Sequence, residues 1–201
     1  MGKIGFVGGT FNPIHNGHLL LAEWAKDQFE LDEILMMPTG ISYLKADTEV
    51  LCSEERFHMV ELAVENNPCF TVSDIEIKRE GYTYTYETLE QLRRERPEDT
   101  FYFICGADCL FFIDKWKNVE RLFANCVLVG AVRGDASMEQ LEQKRKELLE
   151  KFDADIRIMP FLNYSVSSSE IRQRVAEGKS IRYLVPEKVR EYIEDKGFYR
   201  G

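Results

Sequence analysis

The sequence predicts an α/β protein: a Rossmann-like, doubly wound, mainly parallel sheet with a small C-terminal helical cap. Three observations carry that prediction. Short apolar runs alternate with longer amphipathic ones along most of the chain, the pattern of parallel strands joined by crossover helices. Several of the short runs are apolar throughout, as strands covered on both faces are. After Ser165 the alternation stops, and two helical segments follow with no strand between them.

The elements follow in order. "KIGFV" (Lys3–Val7) is the first strand. Gly17–Phe29 then places Leu20, Leu21, Trp24, Ala25 and Phe29 at helical spacing. Glu33–Met37 is the second strand. Ser53–Asn66 opens on "SEER" and carries Phe57, Val60, Leu62 and Val64, so it reads as a helix. Phe70–Ile77 is the third strand, Tyr86–Arg96 a helix and Thr100–Cys105 the fourth strand. Cys126–Val132, the helix Met138–Phe152 and the strand Ile156–Met159 complete the sheet. Ser168–Ala176 and Pro186–Lys196 form the cap. "VRGDAS" (132–137) is the loosest connection and the expected mobile loop. The division is a core over residues 1–164 and a helical subdomain over 165–201, packed together as one domain. A chain of 201 residues buries a full core without staples.

Composition narrows the function. Hydrophobic residues make up 44% and charged residues 30%, the profile of a soluble globular protein. The net charge is −9, with the 35 acidic residues spread along the chain. A nucleic-acid surface needs clustered Lys and Arg, so no nucleic-acid partner is expected. A small anionic substrate needs only a local positive pocket. No run approaches the roughly 20 apolar residues of a membrane span. "MGKIGF" has no apolar signal segment. The expected location is therefore cytoplasmic, with no membrane partner. Five cysteines, an odd number, fit reduced and mostly buried thiols. A homo-oligomer is compatible with this composition.

Three familiar signatures fail. The dinucleotide fingerprint G-x-G-x-x-G is absent after the first strand. "GKS" at 178–180 lacks the upstream glycine of a P-loop, since residue 173 is Gln. "CGADC" (105–109) has no second cysteine pair, which argues against zinc.

"GGTFNPIHNGHL" (8–19) is the informative stretch. A strand-to-helix turn accounts for most of it. Gly8 and Gly9 would supply φ > 0, Asn12 a local backbone bond, Pro13 the turn and Asn16 the helix cap. His15 and His18 are not explained by a turn. They lie at a helix N-terminus, where N–H groups and the dipole favour anions. A metal pair is more often spaced i, i+4 with a third ligand elsewhere. Phosphate is the better ligand, and no metal-holding side chains are expected. A second helix start, Ser167–Ser169 before "EIRQRV", offers further N–H donors with an Arg one turn in.

The stretch resembles the HxGH signature of the nucleotidylyltransferase superfamily, in the "GGTF" form of the bacterial nicotinate-mononucleotide adenylyltransferases. "REGYTYTYETL" (79–89), "GADCLFFIDKW" (106–116) and "SVSSSEIR" (165–172) resemble that family in the same order, up to the final "YLVPEKVREYIEDKGFY". The resemblance implies transfer of AMP from ATP to nicotinate mononucleotide, giving nicotinate adenine dinucleotide and pyrophosphate, with Mg²⁺ accompanying ATP. It implies that His15, His18, Lys45 and Arg172 handle phosphate charge. Gly8, Gly9, Thr10 and Phe11 match the turn lining the nucleotide site, and Ser168 opens the helix that carries Arg172. Thr85 and Trp116 match positions that hold the pyridine carboxylate and ring. Gly106 and Asp108 follow the strand "TFYFIC", where a carboxylate suits ribose hydroxyls.

Two positions depart from the family pattern. Residue 12 is Asn where Asp is usual, and "ISYLK" (41–45) replaces "PPHK", keeping a cation at Lys45. Two other readings stand beside the main one. The acceptor could be nicotinamide mononucleotide or phosphopantetheine, although the chain length and "GYTYTYET" weigh against the latter. A dead nucleotide-binding regulator is the other, opposed by intact His15, His18 and Arg172.

Overall fold

The computed structural model describes residues 1–42, 50–132, 137–161 and 166–200. Six parallel strands form the central sheet: β1 (Lys3–Gly9), β2 (Glu33–Pro38), β4 (Phe70–Val72), β6 (Thr100–Gly106), β7 (Val127–Val132) and β8 (Asp155–Pro160). Their order is β4-β2-β1-β6-β7-β8, so the chain runs outward from β1 to one edge and then outward from β6 to the other. The switch point lies between β1 and β6, whose carboxyl ends point the same way.

Alternation along the inner strands feeds two separate cores. Ile34 and Met36 of β2 face one, Leu35 and Met37 the other; in β6, Tyr102 and Ile104 oppose Phe101 and Phe103. This is why these strands read as continuous apolar runs. One face is covered by α1 (Asn16–Phe29), α2 (Ser53–Val64), α7 (Ser168–Ala176) and α8 (Glu187–Lys196). The other carries α3 (Thr85–Glu95), α4 (Ala107–Phe112), α5 (Val119–Phe123) and α6 (Met138–Lys151). Ile171, Val185, Val189 and Ile193 of the C-terminal segment share the first core with α1 and α2. Fully burying such a side chain contributes roughly 1.5–3 kcal/mol, which anchors the C-terminus on the sheet. Gly197, at φ 67, then turns the chain back to bring Phe198 and Tyr199 onto that core. Among the described residues, no helix is long and apolar enough to cross a membrane.

The third sheet strand is shorter than the run Phe70–Ile77 predicts. It ends at Val72, and the Ser73 N–H donates to Met36 O at 3.0 Å as the chain leaves the sheet. Ser73 and Asp74 both favour turns, and the Lys78 N–H returns to Asp74 O at 2.9 Å. A small parallel ribbon of β3 (Ile41–Ser42) and β5 (Tyr82–Thr83) lies beyond this turn. The helices α4 and α5 have too short an apolar stripe to be read from periodicity. Residues 133–136 of the expected loop lie outside the described residues, as does the boundary between Tyr164 and Ser165.

The turn after β4 buries an acid. Glu76 is 4% exposed and accepts from Thr88 Oγ1 at 2.8 Å. Gly40 lies against it so closely that a Cβ would stand 2.3 Å from Glu76 O. Burial raises the Glu76 pKa, with Thr88, Arg79 and Thr83 pulling the other way. A carboxyl whose folded pKa exceeds its unfolded value stabilises the fold below the unfolded pKa of about 4.3, and loses that contribution as pH rises through the folded value. Glu76→Gln should therefore gain in melting temperature on wild type as pH rises from about 4 to about 7. A gap that stays constant with pH would show that the carboxyl is not strained by burial.

Candidate active site

The motif turn leaves β1 at its carboxyl end. Gly8 and Gly9 are its last strand residues, and neither has positive φ. The left-handed residue is Phe11, at φ 48. Glycine is needed at position 9 for space, since a Cβ there would stand 2.8 Å from the Phe11 ring. The Asn12–Pro13 peptide is cis. The helix cap is His15, in extended conformation, and not Asn16. Asn16 is the first helical residue; its Nδ2 donates to Tyr183 O at 2.8 Å and its N–H to Leu184 O at 2.9 Å. The cap shifts because His18, at the third helical position, supplies the acceptor that the His15 backbone needs.

That bond defines the histidine pair. The His15 N–H donates to His18 Nδ1 at 3.2 Å, and the two rings stack at 3.6 Å with 20° between planes. Phe11 meets the His18 ring edge-on at 4.9 Å. A ring accepting at Nδ1 carries its proton at Nε2, so the neutral His18 is an Nε2–H donor. His15 is 3% exposed, whereas His18 is only partly buried.

The second helix start comes onto the same turn from more than 150 residues away. Ser167 caps α7 by accepting from the Glu170 N–H at 3.2 Å. Ser168 Oγ donates to Pro13 O at 2.9 Å. Arg172 Nη1 donates to Asn12 O at 2.8 Å and Nη2 to Ser169 Oγ at 3.4 Å. A cleft of about 660 Å³ opens beside Arg172, bounded by Leu51, Ser169, Tyr199 and Arg200. Two helix N-termini, two histidines and an arginine thus gather at one strand end, a geometry made for phosphate.

Asn12 is buried, and its side chain bonds across the molecule where a local bond was expected. Its Oδ1 accepts from Tyr199 OH at 2.8 Å and from the Leu51 N–H at 3.4 Å. Burial raises the Tyr199 pKa, against the pull of Arg172 and Arg56, so the phenol keeps its proton and remains the donor. A carboxylate oxygen would accept the same two bonds. Asn for Asp therefore preserves the anchor while withholding one negative charge.

Gly106 ends β6 and caps α4, and Asp108 is exposed in the first turn of that helix. Trp116 ends a 3-10 turn (Ile113–Lys115), half-buried with its ring 6.1 Å from Phe103. Thr85 opens α3. Its neighbours Tyr84 and Tyr86 lie under Lys117 at 4.2 Å and Arg121 at 4.5 Å, which brings the segment of Thr85 against the one that follows Trp116. Lys45 lies outside the described residues. Among the described residues there is no group of three or more His, Cys, Asp or Glu placed to hold a metal.

One buried group was not found from the sequence. Arg56 is 3% exposed and donates from Nη1 to Thr10 O at 2.7 Å. It shares the helical stripe of Met59, Val60 and Val64, and that spacing was the available signal. An arginine on a core-facing stripe implies buried acceptors.

The fold and the paired helix starts define a nucleotide-binding protein of the Rossmann type. The cytidylyltransferase-like family model matches residues 6–174. A relative from Lachnoclostridium phytofermentans, named a probable nicotinate-nucleotide adenylyltransferase, is 48% identical over 99% of this chain and 100% of its own. One of the same name from Clostridium tetani is 40% identical over 100% of both chains. The solved Plasmodium falciparum nicotinic acid mononucleotide adenylyltransferase complexed with NaAD has the same fold, with a TM-score of 0.81 at 21% identity over 99% of this chain and 98% of that one. The chain belongs to the cytidylyltransferase-like family and, within it, to the nicotinate-nucleotide adenylyltransferases; it is a nucleotidyltransferase.

Proposed function

We propose that this enzyme transfers the adenylyl group of ATP to nicotinate mononucleotide, a step in NAD biosynthesis. The observation that carries this reading is the meeting of two helix N-termini, His15, His18 and Arg172 on one turn at the switch point. The names of the full-length relatives support the choice of acceptor.

In this reading a phosphate oxygen of the mononucleotide attacks the α-phosphorus of ATP in line. The bond from α-phosphorus to the bridging oxygen breaks, and pyrophosphate leaves with that electron pair. No protein nucleophile is needed, so orientation and charge stabilisation supply the rate. His18, through Nε2–H, and Arg172 donate to the reacting and leaving phosphates; His15 stacks on His18 and holds it. Lys45 adds a further cation. The backbone of Gly8, Gly9, Thr10 and Phe11 lines the nucleotide, with Ser168 at the second helix start and Gly106 and Asp108 toward the ribose. Mg²⁺ accompanying ATP would supply charge neutralisation on the leaving pyrophosphate, and no side chain of this chain is assigned to hold it.

Thr85 and Trp116 receive the pyridine. Trp116→Ala should raise KM for the mononucleotide several-fold to about tenfold, the worth of one stacked ring, while Trp116→Phe recovers most of it. A KM unchanged in both variants removes Trp116 from the pyridine site. The reaction itself is tested by supplying ATP, Mg²⁺ and one acceptor at a time, and measuring pyrophosphate. Release with nicotinate mononucleotide is expected. Release only with nicotinamide mononucleotide or phosphopantetheine redirects the assignment. ATP binding without release in any case overturns it in favour of a nucleotide-binding regulator.

A further inference from the structure

Arg56 belongs to none of the motifs that mark the site, yet it joins three segments behind the motif turn. Its Nη1 donates to Thr10 O at 2.7 Å, Nε to Leu51 O at 3.0 Å and Nη2 to Gly40 O at 3.3 Å. Thr10 follows β1, and Gly40 follows β2, the neighbouring strand that reaches Pro38 opposite Gly9. Leu51 leads into α2, and its own N–H holds Asn12 Oδ1. One planar group therefore sets the spacing of the two strand ends and ties both to the anchor of the turn. Lysine cannot do this, because a single ammonium lacks the fixed fork.

The electrostatics point the same way. These three partners are carbonyl oxygens, which orient a guanidinium without cancelling its charge. Arg56 is 3% exposed, so water screens that charge weakly. Burial works against the charge, a cost that an apolar residue would avoid. In a chain with net charge −9, a buried cation behind a phosphate-binding turn, offset in part by the neighbouring exposed Glu54 carboxylate, raises the local potential where an anion must sit.

We propose that Arg56 is a positioning residue for adenylyl transfer, clamping Thr10, Gly40 and Leu51 in register and lending its charge to the bound triphosphate. This rests on the reading of the turn as the ATP phosphate site. The two functions separate by substitution. Arg56→Lys keeps the charge and loses the fork; Arg56→Gln loses both. Steady-state kinetics are measured below each variant's melting temperature, with binding of a non-hydrolysable ATP analogue followed by calorimetry. Arg56→Lys should lower kcat about tenfold or more, with analogue affinity within about threefold of wild type. Arg56→Gln should lower kcat at least as far and weaken the analogue about tenfold or more, the range for losing a charged donor. A purely structural role would lower melting temperature and leave this split absent. Wild-type kcat in Arg56→Lys overturns the clamp, even if Arg56→Gln fails to fold. Equal analogue affinity in Lys and Gln variants overturns the charge. If wild type releases no pyrophosphate with any acceptor, the reading of the reaction fails. The analogue affinities then still decide the charge, and unchanged affinity in both variants overturns the proposal.

Discussion

Replacing His18 by alanine is expected to lower kcat by roughly 10²–10⁴-fold with a smaller change in KM, the signature of losing a donor used in the transition state. The side chain does two things. Its Nδ1 accepts the His15 N–H and so completes the cap of α1; in the proposed reaction its Nε2–H is the donor to phosphate. Alanine removes both. Losing a cap costs about 0.5–2 kcal/mol, against a total stability of about 5–15 kcal/mol, so the protein stays folded and the rate loss reports chemistry. His18→Gln separates the roles. Glutamine at the third helical position is a capping-box residue that accepts the cap N–H. It should restore melting temperature and leave kcat low. Turnover near wild type in His18→Ala, measured as pyrophosphate release, would take His18 out of the reaction.

Arg172→Ala is expected to lower kcat/KM for ATP by about 10²–10³-fold, the cost of losing a charge-assisted donor beside the transferring group. Arg172 has one arm on Asn12 O and the other near Ser169 at the helix start. Its fork can hold the turn and face a phosphate together. Arg172→Lys keeps one charge but reaches only one of these partners, so it should recover part of the loss. Stopped-flow release of pyrophosphate separates binding from chemistry. A kcat/KM within about threefold of wild type in Arg172→Ala, well short of the cost of a charged donor, would reduce Arg172 to a strut for the turn.

Particular residues show how far the chain could be read without its fold. Apolar strands such as Phe101–Cys105 were legible because both of their faces are buried and no polar position interrupts them. The histidine pair was legible because both members lie within one helical turn. Other readings failed where neighbouring residues offered competing roles within one short stretch. Asn16 looked like the cap until His18 supplied an acceptor to His15. Gly8 and Gly9 looked like φ > 0 positions, but their place at the end of β1 keeps them extended and moves the strain to Phe11. The strand run to Ile77 was cut short by Ser73 and Asp74, while Glu76 turned inward to Thr88.

The sequence by itself determined the layered α/β fold and the place of "GGTFNPIHNGHL" between the end of β1 and the start of α1. Periodicity and helix-terminus chemistry are local, and a reader of the chain has access to both. Only the tertiary structure decided how the turn is held. Arg56 reaches it from α2, Arg172 and Ser168 from α7, and Tyr199 from a position 187 residues beyond Asn12. Those bonds depend on the crossover order of the sheet and on the packing of the C-terminal helices. No spacing in the sequence encodes the distance between two segments that meet only after the core has closed.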